Sequence, residues 1–527
     1  MNNEINYLKI SKATDLTGRD RTIYRALEML PGILSWGTII GLVILSATAP
    51  IGTAVFVILF DVYWLLLVIF LGVHLLISYR AIRQRMNIDW KAKCDQASAE
   101  ASAGKRVFPG GIRDWRDLWQ IIILPTYNES LEVIRPTIQA LVDNGYPTEK
   151  IIVVLATEGR VGAEGKLIGD AIQKEFAQQF ARFLVTVHPD IEGELKGKGA
   201  NQAWAAKELK RLIIDPEGFD PKKILVSVFD IDTIAHRGYF HCFAYTFLTV
   251  ERPYRASYQP VPVYHNNIWQ APFFARVAAF SNTFWQMMQQ IKPEKLATYS
   301  SHSMTWQALV DIGFWSTNMV SEDSRIFWHC FCYYKGDYRV EPLYFPVSMD
   351  ICMDRNRWTT VGSLYRQQRR WGWGAENIPY LIFNTYKDWK NIPKKQVYIN
   401  HITVQVYGFH SWATNALITS IVGWLPLFLG GDKFNATVLS SNLPDVTRWL
   451  MTLAMVGMIL SAVISILILP KVHRQRFKQY AIMILQWLFL PFVIVLFGAI
   501  PGLEAQTRLM FGRYMGFWVT PKHRKVE

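Results

Sequence analysis

The chain has 527 residues, carries a formal net charge of +14 and is 51% hydrophobic, with 20 tryptophans. Its apolar residues are gathered into blocks, which excludes a uniformly soluble protein. Its basic residues are dispersed rather than collected into one stripe, which argues against a nucleic-acid partner, and its five cysteines (Cys94, Cys242, Cys330, Cys332 and Cys352) give no disulfide framework.

Residues 33–49 and 54–78 are apolar runs of bilayer-crossing length, which takes about 20 residues. The first starts too far in for a signal peptide, lacks a small-residue cleavage site and is followed at once by the second. Three more runs lie near 411–430, 449–470 and 481–500, and none of that length lies between 79 and 400. This pattern predicts an N-terminal segment over 1–30, two transmembrane helices over 31–85 and a soluble domain with interfacial helices over 86–400. Transmembrane and interfacial helices over 401–502 and a tail over 503–527 complete the chain. Arg19, Arg21 and Arg25 precede the first run. Arg80, Arg83 and Arg85 follow the second, and Lys471, Arg474, Arg476 and Lys478 follow the fourth. Positive loops stay in the cytoplasm, so the expectation is a multi-pass cell-membrane protein with a cytoplasmic middle domain. Asp61, inside the second run, is expected at the membrane interface, with a channel role as the alternative.

In the middle domain, strand-length apolar runs alternate with helical patterns. WQIIIL (119–124), KIIVVLA (150–156), FLVTVH (183–188) and KILVSVFD (223–230) are rich in β-branched residues. They predict an α/β domain with a doubly wound, mostly parallel sheet covered on both faces. Ligands of such sheets bind outside the carboxyl ends of the strands. Those ends carry Pro125-Thr126-Tyr127-Asn128-Glu129, Thr157-Glu158-Gly159-Arg160, Gly197-Lys198-Gly199-Ala200-Asn201 and Asp230-Ile231-Asp232. A lysine at a helix start suits a phosphate. Asp230 and Asp232 suit Mg²⁺ or Mn²⁺, held together with substrate phosphate oxygens. Downstream, Ser321-Glu322-Asp323 opens a helical segment, where helix capping is the plain alternative. His329-Cys330-Phe331-Cys332 reads as packed core, because cysteines at i and i+2 of a helix point apart. Gln367, Arg370 and Trp371 follow, with Arg366 and Arg369 expected on a solvated or headgroup-facing side.

Asp230-x-Asp232, Ser321-Glu322-Asp323 and Gln367-x-x-Arg370-Trp371, in that order and between membrane runs, resemble the processive branch of family 2 glycosyltransferases: cellulose, chitin and hyaluronan synthases. Ser321 stands where that branch has Thr. The resemblance implies a GT-A fold inserted between transmembrane helices and a nucleotide-sugar donor, a UDP-sugar ahead of a GDP-sugar. Thr157-Glu158-Gly159 departs from the usual Asp-Asp or Asp-Gly-Ser and leaves the base open. Carried over by position, Asp323 is the catalytic base, and Asp230 meets the nucleotide and, with Asp232, the metal. Thr126, Tyr127, Glu129, Glu158, Lys198 and Glu322 bind donor, while Gln367, Arg370 and Trp371 line the diphosphate and the acceptor sugar. A sugar nucleotide carries its own leaving group, so one base suffices and attack inverts the anomeric centre. Phe517-x-Val519-Thr520-x-Lys522 matches the Phe-x-Val-Thr-x-Lys gating loop of cellulose synthases, which puts Thr520 and Lys522 on the donor.

Three crossings after the soluble domain would leave this tail outside, against its Arg508, Arg513, Lys522, Arg524 and Lys525. Pro491 therefore demotes the fifth run to a broken or interfacial helix. The expected acceptor is a growing polysaccharide exported through the spans. Transfer of one sugar to a lipid carrier or short glycan is the first alternative, and a transporter or receptor with a nucleotide-sensing domain the second. Tyr254, Tyr258, Tyr264, Trp269, Phe273 and Phe274 read either as an acceptor path or as core.

Overall fold

In the computed structural model, which describes residues 6–469 and 477–522, the four predicted runs form one half of an eight-stranded sheet. β1 (Trp119–Pro125), β2 (Ile151–Glu158), β3 (Arg182–His188) and β4 (Ile224–Val228) are parallel, with Ile122 facing Val153 on one side and Ser227 on the other. The continuous apolar sequence of β1, β2 and β4 follows from burial on both faces, while β3 is the partly exposed edge strand. Ile121, Ile123, Ile152, Val154 and Val226 enter one core, and Ile122, Leu124, Val153, Leu155 and Leu225 enter the other.

The second half is β5 (Ile234–Ala235), β6 (Ala256–Tyr264), β7 (Ser303–Thr305) and β8 (Arg339–Met349), giving the order β3-β2-β1-β4-β7-β6-β8-β5. β7 is antiparallel to β4 and β6, β6 runs parallel to β8 with a register shift between Gln259 and Val261, and β5 is antiparallel to β8. All five cysteines are free and buried, Cys330 and Cys332 within the first core.

Among the described residues four helices are long and apolar enough to cross a membrane: Gly18–Thr48, Pro50–Met86, Val438–Ile468 and the broken Phe477–Met510. Lys395–Ser420 and Val422–Leu429, bent by 45°, make a fifth candidate. Arg19, Arg21 and Arg25 lie in the opening turns of the first helix, ahead of its apolar run at 33–49. Lys471, Arg474, Arg476, Arg524 and Lys525 lie outside the described residues. The helices Pro50–Met86 and Val438–Ile468 pack closely where glycine allows it: a Cβ on Gly457 would fall 2.2 Å from Val68. Asp61 is buried between them and accepts a hydrogen bond from Thr447 at 2.9 Å. A carboxylate facing a neighbouring helix finds a hydroxyl there that the lipid cannot offer.

The segment Phe477–Met510 is interrupted by a 3₁₀ turn at Gln486–Phe489, by Pro491 and by a π turn at Val495–Ala499. Its aromatic residues lie on the soluble domain: Tyr480 against Trp269 (5.5 Å between ring centres), Phe489 against Phe273 (4.8 Å) and Phe497 against Phe274 (5.7 Å). The N-terminal segment also straps onto this domain, with Ile10, Ala13 and Leu16 buried in the first core. Arg325 donates to the Ile10 carbonyl at 3.0 Å.

Candidate active site

The carboxyl ends of β1, β2, β3 and β4 open on one side of the sheet, and the residues that follow them meet there. Lys198 begins the helix Lys198–Leu209 after the extended Gly197. Its ammonium lies 2.7 Å from Asp230 Oδ1 and 2.9 and 3.1 Å from the two oxygens of Asp323. Two acids 93 positions apart in sequence are thereby joined by one lysine. Burial disfavours the charge on Lys198, but Asp230 and Asp323 outweigh it and raise the pKa well above the ordinary lysine value. Burial likewise opposes the charge on Asp230, and Lys198 and Lys522 overcome it and hold that carboxyl far below the usual range. Ser300 donates a short hydrogen bond to Asp230.

Asp232 is almost fully enclosed, at 1% exposure. Its Oδ1 takes Lys522 Nζ at 2.6 Å, its Oδ2 accepts the Asp350 N–H at 2.8 Å, and its carbonyl accepts from Asn266 at 2.9 Å. The tail therefore reaches the site, with its lysine on a carboxylate.

Ser321 precedes the helix Glu322–Tyr333 but does not cap it: its N–H (3.0 Å) and hydroxyl both donate to Glu376 Oε1. Glu322 is buried, and burial first and Asp323 second push its carboxyl up to about 8. Its side chain closely approaches Gly199, where a Cβ would lie 2.8 Å from the Ser316 carbonyl and 3.0 Å from Glu322 Cβ. Any larger residue there would separate Lys198 from Asp323. Thr298 donates to the Asp323 carbonyl at 2.6 Å, and His302, whose pKa burial lowers, lies 4.0 Å from the Asp323 carboxylate.

Next to this cluster, Glu129 ties the loop after β1, accepting from Thr126 Oγ1 and Tyr127 N–H at 2.8 Å each. Glu158, buried at the end of β2, is paired with Arg160, whose guanidinium lies 4.2 Å over the Tyr127 ring. Glu158, Arg160, His188 and Glu194 line a shallow cleft.

Gln367, Arg370 and Trp371 lie on the helix Arg357–Gly372. Gln367 is buried, Arg370 stacks 4.8 Å over Phe517 of the tail, and Trp371 lies 6.3 Å from Tyr264, ring centre to centre. Arg366 is exposed as expected, while Arg369 is half-buried and pairs with Glu504 at 2.7 Å. That partner comes from the helix Ile500–Met510, which covers this side of the Arg357–Gly372 helix; a Cβ on Gly372 would fall 3.0 Å from Gly502 Cα. Thr520 is buried, and its hydroxyl has no partner among the described residues. Of the candidate path aromatics, Tyr264, Trp269, Phe273 and Phe274 face this side, whereas Tyr258 is core and Tyr254 lies by Lys222 before β4. Ser300, Asn266, Thr298 and Glu376 lie outside the motifs of the sequence, since each acts through a partner distant in sequence.

The parallel-rich sheet, with lysines and carboxylates gathered at its strand ends and apolar helices on either side in sequence, is of the GT-A glycosyltransferase type. The profile described as "Glycosyl transferase family group 2" matches residues 225–500, more than half of the chain, and the chain belongs to that family. No curated protein matches it. Among solved structures it is similar to a mannosyltransferase from Pyrobaculum calidifontis in complex with GDP-Man and Mn²⁺ (14% identity, 78% of this chain and 99% of that one, TM-score 0.42). It is also similar to residues 1–349 of TarS from S. aureus in complex with UDP-GlcNAc (11% identity, 66% and 90%, TM-score 0.33). Neither likeness bears on the substrate of this chain.

Proposed function

We propose that this glycosyltransferase moves a sugar from a nucleotide-sugar donor onto the end of a growing glycan, with inversion, and feeds the product toward its own membrane helices. The observation that carries the reading is the convergence of Asp230, Asp232 and Asp323 on Lys198 and Lys522. Asp323 takes the proton of the attacking hydroxyl. Lys198, Lys522 and Arg370 stabilise the charge that grows on the departing diphosphate. The cleft of Glu158 and Arg160, beside Tyr127, receives the base. Trp371 beside Tyr264 offers the acceptor ring a flat platform, which supports repeated addition over transfer to a lipid carrier.

Asp230 and Asp232 fit a divalent cation, since each already binds an ammonium that stands in for one. Among the described residues no group of three or more His, Cys, Asp or Glu forms a fuller shell. Donor phosphate oxygens would complete it, as Mg²⁺ and Mn²⁺ sites commonly require. Bound there, the ion would supply further charge stabilisation to the leaving diphosphate.

The tail contact on Asp232 supports a topology in which the first two candidate helices, the bent pair and Val438–Ile468 cross, and Phe477–Met510 lies along the cytoplasmic face. Both ends of that last segment touch the soluble domain, through Tyr480 and Glu504.

Asp323→Asn tests the assignment. It keeps the shape but cannot accept a proton, so donor binding is expected to survive while transfer falls by about 10²-fold or more. Unchanged transfer would remove Asp323 from the chemistry. Sizing the wild-type product separates a polymer from a single addition.

A further inference from the structure

Asp232 is the most enclosed carboxylate of the strand-end cluster, yet its cationic partner comes from the end of the chain, 290 positions away. The tail is seated along its length. The Tyr514 hydroxyl donates to Glu28 at 2.8 Å, and the Phe517 ring lies so close to Gly197 that a Cβ there would meet it at 2.6 Å. The backbone at Lys522 bridges that of Met353. The ammonium on Asp232 is thus part of the strand-end cluster. Asp230 is neutralised separately by Lys198. The two carboxylates suited to a divalent cation each hold a lysine, while the buried Thr520 hydroxyl and Arg370 Nε have no hydrogen-bond partner among the described residues.

We infer that Lys522 is an internal counter-cation of Asp232, and that a divalent cation gains this carboxylate only together with a diphosphate that takes the lysine. The inference rests on the donor-site reading above. A lone divalent cation would have to expel an ammonium from a buried carboxylate and leave that ammonium enclosed and unpaired, a costly state. A diphosphate reverses the balance. It offers oxygens to Lys522 and to the partnerless Thr520 and Arg370 donors through charge-assisted hydrogen bonds. It also brings the oxygen ligands that two aspartates alone do not supply. Cation and donor then enter as one unit, and the tail turns from Asp232 to the diphosphate without leaving the site.

The test uses the full-length protein in lipid nanodiscs. Free Mn²⁺ is followed by electron paramagnetic resonance, with Mn²⁺ alone and with Mn²⁺ plus inorganic pyrophosphate, so that the identity of the base plays no part. In the wild type, pyrophosphate is expected to tighten Mn²⁺ binding about tenfold or more, within the usual range of coupling between sites. Lys522→Met is expected to bind Mn²⁺ alone about tenfold tighter than the wild type, with a smaller further gain from pyrophosphate. Lys522→Arg keeps the cation and is expected to behave as the wild type. Equal affinity for Mn²⁺ alone in wild type and Lys522→Met would overturn the inference while leaving the donor site standing. Failure of Mn²⁺ with pyrophosphate to bind any of the three proteins would overturn the donor-site reading and the inference with it.

Discussion

Glu322→Gln isolates the electrostatic cost of placing two adjacent acids at one helix start. Glu322 is 2% exposed and faces Asp323 on its own helix, Lys198 on the helix behind it, and Arg370. Burial first and Asp323 second raise its carboxyl from 4.5 to about 8, so the side chain is neutral at pH 7. Below pH 4.5 both folded and unfolded chains hold this proton. Between 4.5 and about 8 the folded chain keeps it and the unfolded chain has released it, so the contribution to stability falls as pH rises. The interval corresponds to about 5 kcal/mol, fully expressed above pH 8. Glutamine is neutral throughout and lacks this slope. Thermal melting of the detergent-solubilised protein from pH 5 to 9 reads it out. The variant is expected to melt close to the wild type at pH 5 and progressively above it toward pH 9. A melting difference that stays constant over this range would refute the placement of Glu322 as a buried, neutral acid.

Two other substitutions probe separate links. Lys198→Met leaves Asp230 and Asp323 without the ammonium they share; breaking a buried pair in this way costs about 3–5 kcal/mol, and both a lowered melting temperature and loss of donor binding in a nucleotide titration are expected. Thr447→Val takes the hydroxyl from the buried Asp61 between two candidate membrane helices, a loss of about 1–3 kcal/mol, measured as a lower melting temperature with transfer per folded molecule unchanged.

Which parts of this molecule can be read from its sequence follows from where each residue finds its partner. β1, β2 and β4 are legible because both of their faces are buried and their apolar runs are unbroken. β5 and β7 have two and three residues, too few to show a period. β6 and β8 carry prolines at 260, 262, 342 and 346, which mask their strand character, although parallel pairing with a register shift accommodates them. At the site, Asp230 and Asp232 stand directly after a buried strand, and Lys198 at a helix start, so each was visible alone. Their pairing was not: Lys198 with Asp323 and Lys522 with Asp232 are long-range contacts that no local pattern encodes. The pairing of Arg369 is hidden because its partner Glu504 lies on a helix packed across it from near the end of the chain. The partner of Asp61 is hidden for the same kind of reason, being Thr447 on another candidate membrane helix.

The most direct test of the central claim is a transfer assay with the purified protein in lipid, Mn²⁺ or Mg²⁺, and a panel of labelled UDP- and GDP-sugars. Release of nucleoside diphosphate and incorporation of the sugar are followed in wild type and Asp323→Asn. The expected result is that at least one nucleotide sugar is consumed, with its label in a glycan product, and that this incorporation falls by about 10²-fold in Asp323→Asn. Binding of a nucleotide sugar without transfer to any product, or equal transfer by Asp323→Asn, would contradict the assignment of this site.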